Sequence, residues 1–196
     1  MRYCLDASAE QIAQRFGADA GRDPWAGGDV TPGGYAPVIV RGNDRIRRIM
    51  PRQWGVPPPP KAALLGGAPV LMVRNLDSPF WIGTLRHREF RCLVPVTAFR
   101  AGSRSKDPVT GRPAQHWFTL PASSLFAFAG IWRDSEVPSF AILSCEANRL
   151  ASANGAEAMP VILHAEDHEH WLGADWKQAQ KLAAPLPSQL MAHALR

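Results

Sequence analysis

At 196 residues, 46 % apolar and 20 % charged, the chain carries enough hydrophobic mass for one domain with its own core and too much for a disordered segment. It holds no run of about 18 apolar residues and no charged-then-apolar start, which speaks against a membrane span and a secretory leader and leads to the expectation of a cytoplasmic protein with no membrane partner. The net charge is +5, and Cys4, Cys92 and Cys145 are an odd set without metal-knuckle spacing, as expected of reduced thiols.

In chain order, SAEQIAQRF (residues 8–16) predicts a short amphipathic helix. Ser8 stands as its N-cap, Gln11 completes a capping box, Ile12 and Phe16 share a face, and Gly17 ends the run. Gly and Pro between 18 and 37 predict an ordered loop, and APVIVR, GND and RIRRIM a hairpin. Pro57 to Pro60 forbid ladder pairing and predict a rigid, extended loop. Strands are expected at 69–73, 92–99, 116–120, 125–131 and 139–145, a mobile hairpin loop at SRSKDPVTGRP, and helices over Glu166–Leu172 and DWKQAQKLAA. The implied fold class is α+β: a single domain over 1–196 whose curled, barrel-like, mainly antiparallel sheet is flanked by helices.

The charge is uneven. Residues 30–106 hold 13 Lys and Arg against Asp44, Asp77 and Glu89, and arginine outnumbers lysine 18 to 4 over the chain. Arginine's planar fork suits phosphate and stacks on bases, which points to nucleic acid; a GC-rich coding bias accounts for the same count without a partner. His164, His168 and His170 stand close together, but the i+6 residue points away and a polar helix start explains the string, so no metal is expected. Cys92 and His116 make a conceivable thiol–imidazole pair, although an apolar strand makes Cys92 a core thiol. Nucleotide-loop and dinucleotide fingerprints are missing, so no cofactor is called for.

Eight separated stretches share an order and spacing: RYCLDASAEQIAQRFGA, the TP of VTPGGYAPVIV, RQWGVPPPP, VRNLDSPFW, FRCLVPVTAF, LFAFAGIW, FAILSCEAN, and MPVIL followed by HEHWL. Together they resemble the SOS-response-associated peptidase (SRAP) family over nearly the full length, most of all its phage- and proteobacteria-associated branch. The resemblance implies a positively charged groove for single-stranded DNA and a role at abasic sites in the DNA-damage response. In the family a cysteine directly after the initiator methionine closes on the abasic aldehyde as a thiazolidine.

This chain departs from that pattern. It begins MRY, and Cys4 falls on a position that is not the nucleophile. The family's asparagine falls on Met72, its glutamate on Ala101, and its histidine before MPVIL has no counterpart; no catalytic residue is therefore assigned. By resemblance Arg2 and Arg74 match phosphate-contacting arginines, Trp54 a wedge-like aromatic, and Pro32 a groove-lining proline, so these four are the expected DNA-binding set. Arg100 is a further candidate for a phosphate, and Cys145 is expected to be a buried thiol. The leading expectation is binding of single-stranded DNA carrying abasic sites, without cross-linking or peptidase activity. One alternative is an active enzyme whose Met1 amine forms a Schiff base. Another is a protein-interaction module with Trp54, Phe80 and Trp81 as an exposed apolar patch. Oligomeric state is left open.

Overall fold

The computed structural model describes residues 1–100, 111 and 116–195. Ala101 and, Gly111 apart, the loop expected at 103–113 lie outside them. Strand β1 (Arg2–Leu5) leads into helix α1 (Ala9–Phe16), which opens with the capping box read from the sequence: Ser8 Oγ accepts from Gln11 N–H and Gln11 Oε1 accepts from Ser8 N–H. Gly17 closes it at φ +59 in the left-handed region.

The expected loop at 18–37 contains two short strands, β2 (Ala18–Asp19) and β3 (Gly28–Val30). The hairpin follows as β4 (Tyr35–Arg41) and β5 (Arg47–Trp54), paired from Tyr35↔Gln53 to Arg41↔Arg47. The proline run ends in a single helical turn, α2 (Pro60–Ala63), and the strand expected at 69–73 shortens to β6 (Met72–Val73). Helix α3 (Pro79–Arg86) comes next, then β7 (Arg91–Val96), β8 (Ala98–Arg100), β9 (His116–Thr119), β10 (Phe126–Asp134) and β11 (Pro138–Glu146). The C-terminal part adds α4 (Arg149–Ala153), β12 (Ala158–Pro160), β13 (Ile162–Leu163), α5 (His168–Gly173), α6 (Trp176–Ala179) and β14 (Ala192–Leu195).

Two sheets share one core. The larger runs β12-β11-β10-β7-β4-β5-β2 and is mainly antiparallel. It curls until β11 meets β5 over only Ser139↔Gln53 and Phe140↔Trp54, short of a true barrel. The smaller runs β14-β9-β8-β1-β3. The chain crosses between them at Thr97, whose N–H and Oγ both donate to Cys4 O, at 2.9 and 3.0 Å. Strands β7 and β10 are buried on both faces at their centres, which is why CLVPV and FAFAGI read as unbroken apolar runs. Among the described residues no helix is long and apolar enough to cross a membrane.

Candidate functional site

Alternation along β1 sends Tyr3 and Leu5 into the core and leaves Arg2 and Cys4 on the other face. Pairing with β8 sets Arg2 across from Arg100. Residues opposite in an antiparallel ladder project from one face, and like charges so placed repel. No described carboxylate forms an ion pair with either guanidinium. The Met1 amine adds a third cation, and its pKa is lowered from 8.0 by burial first and then by Arg100 and Arg2.

Tyr3 joins this cationic corner to Trp54, their rings meeting edge-on at 5.2 Å. Trp54 has no exposed surface: its indole lies parallel to Phe140 at 6.5 Å, and Nε1 donates to Leu71 O at 3.1 Å. The expectation of a base-stacking Trp54 is therefore corrected, because packing on both sides leaves the ring no face for a base. Its role is that of a post. Gly33 N–H donates to Trp54 O and Trp54 N–H to Gly34 O, both at 2.8 Å. These bonds fasten the turn Thr31–Gly34, in which Pro32 precedes Gly33 at φ +81 as a type II turn requires, and Pro32 stays exposed. Beyond Leu71, β6 delivers Arg74 to the surface, free of any ion pair among the described residues. Arg2, Pro32 and Arg74 thus each ride on a segment in direct contact with Trp54.

One aromatic that the sequence reading missed stands beside them. Tyr35 is 57 % exposed, pairs across the hairpin with Gln53, and follows the Pro32 turn, whose Gly33 O accepts from Gln53 Nε2. A tyrosine starting a strand carries no signal of its own; only the register beside Pro32 marks it.

The thiols are poor nucleophiles. Burial raises the pKa of Cys4 and pushes Cys145 up to about 11, with the Cys145 thiol directed at Met159 O at 3.7 Å. Cys92 is fully buried and is raised further still by the same cause, which leaves no thiol–imidazole pair with His116. Met72 is half-buried in β6. Raised pKa values disfavour the thiolate form of these cysteines, and a thioether carries no titratable proton.

The basic middle is less available than its count implies. Glu169 holds Arg41 at 3.1 Å and Arg47 at 2.5 Å, and Asp44 holds Arg48 at 2.5 Å. Arg52 is buried over the Trp132 ring at 4.9 Å, and Arg91, 1 % exposed, lies over Trp171 and donates to Ala174 O. The apolar patch expected from Trp54, Phe80 and Trp81 does not form either. Trp54 and Trp81 are buried, and the Arg133 guanidinium covers Phe80 at 4.3 Å. Among the described residues no three His, Cys, Asp or Glu side chains gather as metal ligands.

The fold is shared with solved structures. A protein from Bordetella bronchiseptica superposes with a TM-score of 0.79 at 19 % identity, covering 100 % of this chain and 98 % of that one. A Bacteroides thetaiotaomicron protein gives 0.80 at 18 %, covering 99 % and 90 %. A phage-related protein from Bordetella bronchiseptica gives 0.73 at 18 %, covering 100 % and 93 %. No curated protein matches the chain. The sequence profile of the SOS response associated peptidase (SRAP) family matches residues 1–195, and with that extent of agreement the chain belongs to this family.

Proposed function

We propose that this protein binds single-stranded DNA at abasic sites and has given up the family's thiazolidine chemistry. Membership of the family supports a role linked to DNA damage and abasic sites. The observation that carries the binding reading is Arg2 across from Arg100 beside the Met1 amine, two guanidinium cations and an amine with which no carboxylate among the described residues forms an ion pair. A phosphate placed there relieves repulsion that the folded chain otherwise bears. Arg74, exposed just beyond the Leu71 carbonyl that Trp54 binds, adds a further cation, and Tyr35 offers the stacking face that Trp54 does not; one base on an exposed aromatic contributes about 1–3 kcal/mol.

Titration of a fluorescent single strand, intact or abasic, at several salt concentrations tests the reading. With about three phosphates neutralised, log K should fall against log salt with a slope near −2. Arg2→Ala, Arg74→Ala and Arg100→Ala should each make the slope shallower, and Tyr35→Ala should weaken binding at every salt. Affinity indifferent to salt would overturn it.

The lowered pKa of the Met1 amine favours a second reading, a reversible Schiff base. The free amine attacks the ring-opened sugar aldehyde, water leaves, and a C=N bond forms. Incubation with an abasic strand and a hydride donor reduces that bond to a stable amine. The expected result is a shifted band on a denaturing gel, with the DNA remnant on the N-terminal peptide. No band with reductant ends this reading and leaves the binding reading intact.

A further inference from the structure

A single row of side chains crosses β1, β8 and β9: Arg2, Arg100 and Trp117, each directly opposite the next. Opposed residues of an antiparallel ladder project from one face with Cα atoms about 4.5–5.5 Å apart, so both guanidiniums are within reach of one small anion. Trp117 is 7 % exposed and flanks Arg100 with apolar surface, beside which a charged hydrogen bond is stronger than in open water. Met1 packs against the core and sets the chain's amine near both arginines. Among the described residues no carboxylate forms an ion pair with any of the three.

The charge and shape of this corner discriminate between kinds of phosphate. A diester inside a strand carries one negative charge, offers two free oxygens and has a sugar on either side of the phosphorus. A monoester at a strand end carries about −1.5 to −2 at neutral pH, offers three oxygens and has a sugar on one side only. Two guanidinium forks converging on one phosphorus match the monoester: two positive charges meet nearly two negative ones, and the side without a sugar admits the second fork. We propose that Arg2 and Arg100 together seat the terminal phosphate monoester of a DNA strand, at its 5′ or its 3′ end. Arg74, on a different segment, meets the single charge of an internal diester. The inference rests on the DNA-binding reading and names the strand that reading takes, one that ends in a phosphate beside the lesion.

The test titrates the full chain with three internally labelled single strands that carry a tetrahydrofuran abasic analogue next to each end and differ only in those ends: a 5′-phosphate, a 3′-phosphate, or hydroxyls at both. Wild type should bind one phosphorylated strand about tenfold more tightly than the hydroxyl strand, and the strand preferred tells which end is seated. The preference should be largest near about pH 7.5 and shrink toward about pH 5, where the monoester regains its second proton and keeps a single charge. Arg2→Gln and Arg100→Gln should each cut the preference to below about twofold, whereas Arg74→Gln should weaken all three strands alike and leave the ratio unchanged. Equal affinity of wild type for the three strands overturns the terminal-phosphate seat and leaves the DNA reading standing. No binding of any strand overturns the DNA reading, and the seat falls with it. A preference that survives in both Arg2→Gln and Arg100→Gln puts the phosphate elsewhere and also overturns the seat.

Discussion

Trp54 works by being hidden. Its ring edges and faces are taken by Tyr3 and Phe140, its Nε1 by Leu71 O, and its backbone by Gly33 and Gly34, so one side chain sets the spacing of three exposed segments. Trp54→Ala should cost about 3–5 kcal/mol in a urea melt, from the cavity and the stranded Leu71 carbonyl together. Trp54→Phe should cost less and, under conditions where the variant is folded, bind DNA as wild type does. A large loss of affinity in folded Trp54→Phe would return the indole to the interface. Sequence pattern marked Trp54 correctly as a landmark of WG and RQWGVPPPP, but burial is a property of what packs around a residue. Tyr35 shows the converse: it stands exposed, although its identity and spacing resemble those of many core residues.

At the scale of elements, α5 is held by its own alternation of roles. Trp171 Nε1 donates to Cys92 O at 2.9 Å, Glu169 faces Arg41 and Arg47, and His168 is buried 5.3 Å from the Phe16 ring of α1. Burial, then Arg47 and Arg15, lower the His168 pKa from 6.5 to about 4, against the weaker pull of Glu166 and Glu169. Between those values the unfolded chain binds a proton that the folded chain refuses. Stability is therefore full above pH 6.5 and falls as pH drops toward 4, by up to about 3 kcal/mol from this residue. Melting curves at stepped pH should show that loss, and His168→Gln should reduce it; an unchanged pH profile would clear His168 of the effect. Elements closed by local chemistry were legible, as α1 with its capping box and α5 with its polar start show. Helix α3 was not, since SPFWIG carries Gly83 and little polar periodicity; Arg133 holds it from outside, by Thr84 Oγ at 3.0 Å and the Phe80 carbonyl. Strand β14 is four residues long and exists because β9 pairs with it.

Over the whole molecule, charge is sorted by partner and not by position in the chain. Arg41, Arg47 and Arg48 spend their charge on Glu169 and Asp44, and Arg52 and Arg91 are buried, whereas Arg2, Arg74 and Arg100 are free of ion pairs among the described residues. The expected salt slope near −2 follows if those three alone meet phosphates and Arg45, Lys61, Arg86 and Arg88, exposed and also in no ion pair among the described residues, do not; the count of 13 in the basic middle would give a slope several times steeper. The titration thus also checks the sorting itself.

Periodicity, caps and turn residues determined from the sequence alone the single α+β domain, its main strands and first helix, and, through eight motifs in register, its family. These signals are local or travel with the order of the chain. Which cations face solvent, that Trp54 is a buried post, and that Arg2 confronts Arg100 were decided only by tertiary structure, because strand register and packing join residues far apart in sequence. No local pattern records those meetings.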